Sequence, residues 1–130
     1  MTPIGKKRLL KLADILDAAD AQHRAKKEPT YDQTRISHDC GTPACAIGHW
    51  AGFSNGRVKR DRTTGFVSLR DDDETSIVGI AESEFGIDEY QSDELFESYG
   101  CGGAKTAKQA ARYIRKFVRR VEREQWKAVA

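Results

Sequence analysis

Apolar residues return every three or four positions along several stretches of this chain. Leu9, Leu12, Ile15, Leu16 and Ala19 make the first such face, which is the spacing of a helix with one side turned to a core. Thr2-Pro3 can open that helix. It is expected to fade near His23, before the charged Lys26-Lys27-Glu28-Pro29, because proline disfavours helix in the residue before it. Residues 31–39 read as loop or short strand. A second helix is predicted from Thr42, as N-cap with Pro43 in the first turn, to about Phe53. It is rich in small residues (Ala44, Cys45, Ala46, Gly48, Ala51, Gly52), which let another backbone or a ligand come close.

Ser54-Asn55-Gly56 is a turn signal. Arg57-Val58-Lys59-Arg60 and Gly65-Phe66-Val67-Ser68-Leu69 then read as two short strands around Asp61-Arg62-Thr63-Thr64, a small hairpin. Ile77, Ile80, Ala81 and Phe85 form a third helical stripe, stopped by Gly86. Ser92 is expected to cap a short helix carrying Leu95, Phe96 and Tyr99. Gly100-Cys101-Gly102-Gly103 breaks the chain before a capping box of Thr106 and Gln109. The last helix follows, with Ala110, Ala111, Ile114, Phe117, Val118 and Val121 on one face and basic residues on the other. The expected fold is α+β and mainly helical, with four to five helices and one small β-hairpin. It is a single compact domain over residues 1–130, in which the first and last helices pack with the small-residue helix.

Composition narrows the class. With 130 residues, 38% hydrophobic and 32% charged, the chain can build one core. No apolar run approaches the roughly 18 residues of a membrane span. The basic Lys6-Lys7-Arg8 leads into an amphipathic helix rather than a secretory signal, so a cytoplasmic location is expected, the host cytoplasm for a phage-encoded protein. Three cysteines give no disulfide framework and are expected to be reduced thiols.

The net charge of +2 conceals an asymmetry: residues 71–97 hold eleven acidic and no basic residues, and residues 104–130 hold nine basic and two acidic. Such blocks can pair within the fold or between copies, which makes a homo-oligomer conceivable. The basic block also suggests a nucleic-acid surface using Arg112, Arg115, Arg119, Arg120 and Arg123, although the acidic block would repel the same phosphates.

The densest chemistry lies in His38-Asp39-Cys40-Gly41-Thr42-Pro43-Ala44-Cys45-Ala46-Ile47-Gly48-His49-Trp50. Three functional readings compete with a plain one, in which small side chains serve a tight helix contact. His38, Cys40, Cys45 and His49 have ligand types that suit zinc, although the His-x-Cys pair must converge from an extended segment. Cys40, beside a helix start that lowers a thiol's pKa, would suit a cysteine enzyme with His23, His38 or His49 as base. No histidine follows His49, which excludes a papain-type order.

The third reading is anion binding without catalysis. Gly41 and Thr42 would offer helix-end donors, Arg57 and Arg60 charge, and Trp50 a stacking face. Lys59 and Arg62 add charge nearby, and Tyr31 and Phe53 further aromatic faces. Gly100-Cys101-Gly102-Gly103 would add a ligand or line a pocket, or serve only as a turn.

Several of these segments resemble a group of small bacteriophage and bacterial proteins. The shared features are the aromatic-led Tyr31-Asp32-Gln33, the C-G-T-x-x-C-x-x-G run from Cys40 to Gly48, the Ala81–Ile87 segment, Leu95-Phe96 and the Thr106–Ala111 cap. The resemblance implies a phage or mobile-element origin and a role in host takeover or counter-defence, and brings no activity with it. The leading expectation is therefore a phage-type, non-catalytic binding protein that captures a nucleotide-like small molecule or a host protein. The alternatives are a cysteine- or zinc-dependent enzyme and a nucleic-acid-binding module.

Overall fold

A computed structural model describes residues 1–26, 30–36, 44–61 and 64–129. The order is α1 (Pro3–Lys26), α2 (Ala46–Ala51), β1 (Val58–Arg60), β2 (Val67–Leu69), α3 (Ile77–Phe85), α4 (Glu89–Phe96), a 3₁₀ turn at Cys101–Gly103, and α5 (Ala107–Val129). The fold is α+β and mainly helical, as the hydrophobic periodicity predicts. β1 and β2 pair antiparallel, with Val58 opposite Leu69 and Arg60 opposite Val67. No described helix is long and apolar enough to cross a membrane.

The two long helices form the frame. Their apolar stripes meet: Leu9, Leu12 and Leu16 of α1 and Ala110, Ala111, Ile114, Phe117, Val118 and Val121 of α5 are all buried. Polar pairs show that they run antiparallel. Gln125 Nε2 donates to the Met1 carbonyl, Lys6 pairs with Glu122, Arg115 with Asp14 and Asp17, and the Lys108 N–H lies 3.4 Å from Asp20 Oδ1. Partners that rise along α1 fall along α5. Asp20, buried at the far end, thus helps to cap α5, while Thr106 Oγ1 accepts from the Gln109 N–H at 3.1 Å. Gln109 folds back onto the N–H of Lys105 rather than that of Thr106, one residue short of the predicted capping box.

Two helix starts differ from expectation. α2 begins at Ala46 with Cys45 as its N-cap residue, rather than at Thr42. The reason lies in the preceding chain. The Ala44 N–H donates to Ile36 O, and its carbonyl accepts from the Asp32 N–H, which holds residues 44–45 extended against the 30–36 loop. α4 is capped by Asp88, not Ser92. Asp88 accepts from the Gln91 N–H at 2.8 Å and Gln91 Oε1 accepts from the Asp88 N–H at 3.0 Å, a complete capping box.

Ser92 instead lies inside α4 and is buried, with no hydrogen-bond partner for its hydroxyl among the described residues. An unpaired buried hydroxyl costs stability, and removing it relieves that cost. Ser92→Ala should therefore raise stability by about 1 kcal/mol. An unchanged or lower denaturation midpoint in urea would show that the hydroxyl is satisfied in solution.

α3 starts from a Ser76 cap that the stripe alone did not reveal, and it ends, as predicted, at Gly86, whose φ of 65° is left-handed. Trp50 of α2 packs against Phe85 with ring centroids 5.3 Å apart, and Phe85 against Phe96 at 5.6 Å. These rings fill the space between the short helices and the α1–α5 frame.

Candidate functional site

His38, Cys40, Gly41 and Thr42 lie outside the described residues, as does Arg62. Cys45 and His49 are described and are buried. Helical geometry brings His49 Nδ1 to 2.8 Å from the Cys45 carbonyl oxygen, and the imidazole lies near the rings of Tyr31 and His23. Tyr31 donates to Gln33, whose amide spans to the Leu95 and Glu97 carbonyls at 3.0 and 2.7 Å. This polar seam ties the 30–36 loop to the end of α4.

The described thiols are poorly placed as nucleophiles. Burial pushes Cys45 up from its ordinary value. Burial, together with the neighbouring Cys45 thiol and Glu94 carboxylate, pushes Cys101 up to about 12, and its thiol donates to Leu95 O at 3.2 Å. Both stay protonated at neutral pH, where only a thiolate attacks. Among the described residues no group of three or more His, Cys, Asp and Glu is placed to hold a metal ion.

Trp50 and Arg57 do converge, but on a protein carboxylate. Glu84 of α3 is buried. Its Oε1 accepts from Trp50 Nε1 at 3.0 Å, and both of its oxygens lie 3.1 Å from Arg57 Nε. Arg8 of α1 adds its guanidinium, 3.0 Å from the Glu84 carbonyl oxygen and 3.4 Å from Oε2. Trp50 is 1% exposed. The stacking face expected of it is therefore corrected: the indole is closed off by the core, and its N–H is satisfied internally. Arg57 likewise spends its Nε on Glu84. Arg60 ends β1 and is half-buried. Sequence reasoning passed over Glu84, although a signal existed. It falls on the apolar stripe of α3, one turn after Ile80, where a charge is stable only with partners.

A second arrangement lies on α5. Its buried stripe faces α1, and two ion-pair systems flank that stripe. Arg115 bonds Asp14 at 2.9 Å and Asp17 at 2.6 Å on one side. Arg120 grips Glu94 of α4 at 2.6 and 2.7 Å on the other, and Tyr113 donates to the same carboxylate at 2.7 Å. Both arginines are raised further from their ordinary values by those carboxylate bonds. Part of the acidic block is thus neutralised inside the fold.

The crest opposite the buried stripe is different. Lys108, Arg112, Lys116, Arg119, Arg123 and Lys127 follow one another at steps of three or four residues, so they form one row. Lys105 precedes them in the sequence, just before α5 begins. All seven are exposed, and none has an ion-pair partner among the described residues. From Lys108 to Lys127 the row spans ~28 Å at 1.5 Å per residue.

Two recesses border this row. One, of about 370 Å³, is walled by Gly102, Gly103, Lys105, Gln109, Arg112 and Lys116. The other, of about 530 Å³, is lined by Arg119, Glu122, Arg123 and Trp126. The Gly100–Gly103 turn therefore lines a recess, one of the roles its composition suggested. Comparison with protein-family models, curated proteins and solved structures gives no match.

Proposed function

We propose that the protein is a non-catalytic binding protein whose ligand is nucleic acid, held through its phosphates by the outer row of α5. The observation that carries this reading is the row itself. Arginines on the flanks of α5 are occupied by carboxylates, whereas the crest cations have no carboxylate partner among the described residues. A line of unpaired cations matches a line of phosphates, and each contact releases condensed counterions. Glu94, within the acidic block, is masked by Arg120 and Tyr113, which lessens the repulsion expected from that block. The resemblance to phage proteins is consistent with a task performed on nucleic acid, and the same proposal places the protein in the cytoplasm.

A second reading has one observation in its favour. The recess beside Gly102 and Gly103 gathers Lys105, Arg112 and Lys116, three cations that would suit a nucleotide or another small phosphate ligand. The described thiols lend no support to a cysteine enzyme.

Fluorescence anisotropy with labelled random-sequence DNA tests the main reading. If about four crest cations engage phosphates, affinity should fall roughly a hundredfold for a fourfold rise in salt. Reversing Arg112, Lys116 and Arg119 to Glu together should weaken binding at least ~tenfold and flatten the salt slope by about 3. These side chains touch no buried partner, so the fold should persist. Micromolar protein that leaves the DNA free at low salt, or a triple variant that binds like the parent, would overturn the proposal. Binding of mononucleotides alone would favour the second reading.

A further inference from the structure

We infer that Trp126 is a base-stacking platform and that the α5 row selects unpaired, single-stranded nucleic acid over duplex; this rests on the nucleic-acid reading above. The chain has two tryptophans with opposite fates. Trp50 is sealed in the core, whereas Trp126 is 73% exposed near the end of α5. Helical spacing sets Trp126 on the crest, three residues beyond Arg123 and seven beyond Arg119.

The indole therefore stands at the end of a line of cations, beside a recess that Arg119, Glu122 and Arg123 complete. The only acid in that lining, Glu122, is engaged by Lys6 of α1. A flat aromatic surface next to guanidinium groups suits a nucleobase, whose ring stacks while its neighbouring phosphates pair with the arginines.

Base pairing decides which nucleic acid gains from this. In a duplex interior both faces of each base are covered by neighbours, so a duplex offers the row its phosphates alone. An unpaired strand offers phosphates and base faces together. The row also carries little that could read sequence. Its polar groups are lysine and arginine, and the amide of Gln109 beside it is engaged by the Lys105 N–H. The strand preference should therefore come without strong sequence preference.

The test compares a fluorescein-labelled oligothymidylate of about 15 nucleotides with a duplex of equal length, using the full chain, Trp126→Ala and Trp126→Phe. The parent should bind the single strand more tightly, with quenching of an indole emission that Trp126→Phe removes. Trp126→Ala should lose roughly tenfold in single-strand affinity and leave duplex affinity unchanged, and Trp126→Phe should retain most of it. Trp126 is exposed, so circular dichroism should show all three chains equally folded.

Equal affinity for both strands, unmoved by Trp126→Ala, would overturn the stacking inference while leaving phosphate binding by the row intact. Failure to bind either nucleic acid would overturn the nucleic-acid reading and this inference with it. A third arm uses vesicles of phosphatidylserine. A blue-shifted, Trp126-dependent emission with vesicles and none of the response to oligonucleotide would overturn both in favour of a membrane surface.

Discussion

Replacing Glu84 with alanine should cost the protein about 3 kcal/mol, a large part of an ordinary domain's total stability of roughly 5–15 kcal/mol. The reasoning starts from what the carboxylate holds. Its removal leaves the Trp50 N–H without its acceptor inside the core, and an orphaned buried donor costs about 1–3 kcal/mol. It also leaves Arg57 and Arg8 without their counter-charge. Breaking a buried pair costs about 3–5 kcal/mol in general, but these arginine side chains are 34% and 25% exposed and can turn toward water. That escape sets the estimate at the lower end.

Glu84→Gln separates the two contributions. The amide keeps an acceptor oxygen for the indole but loses the charge, so it should cost less than alanine. Trp50→Phe provides the cross-check. In the Glu84→Ala background it should cost much less than in the parent, since the donor it removes is already orphaned. Urea denaturation of the four variants measures all of this. A Glu84→Ala midpoint indistinguishable from the parent would show that the cluster is decorative, and Arg57 would again be free for a ligand.

The regular periodic elements were legible from the chain because each obeys a single local rule. The stripes of α1, α3 and α5, the left-handed stop at Gly86 and the β1–β2 hairpin all follow from spacing and turn chemistry. Where a distant partner decides, the local rule gives way. Thr42-Pro43 is a good helix start by propensity, yet α2 waits until Ala46, because Asp32 and Ile36 claim the backbone at Ala44. Ser92 is a good cap by type, but Asp88 with Gln91 forms a better one four residues earlier.

The site was harder for the same reason. Arg57 and Trp50 have the residue types of a nucleotide pocket, and so do many buried ion clusters. Only the position of Glu84 distinguishes the two. The α5 row was visible as a basic face, but which arginines are bound by carboxylates depends on α1 and α4. The sequence-level set of Arg112, Arg115, Arg119, Arg120 and Arg123 therefore mixes crest residues with residues occupied by Asp14, Asp17 and Glu94.

Gly5→Ala should destabilise the fold by about 3 kcal/mol, the upper end of what overpacking a core ordinarily costs. A methyl group on Gly5 would stand 1.8 Å from the Phe85 carbonyl oxygen and 2.4 Å from its carbonyl carbon. The obstruction is backbone, not the end of a flexible side chain, so α1 must move away from the last turn of α3. That movement is not local. Phe85 lies between Trp50 and Phe96, and Arg8, one turn after Gly5, reaches Glu84 beside it. Separating the helices therefore strains the aromatic stack and the Glu84 cluster together.

The helical gain of alanine over glycine, about 1 kcal/mol, acts in the opposite direction and is outweighed. Gly48→Ala is the companion case, since its methyl group would meet the Ile36 carbonyl oxygen at 2.2 Å. There the obstacle belongs to the 30–36 loop, which can yield more readily than a helix end, so a smaller loss of about 1–2 kcal/mol is expected. Thermal denaturation of both variants checks the ranking. If Gly5→Ala were as stable as the parent, α1 and α3 could not be in backbone contact as described.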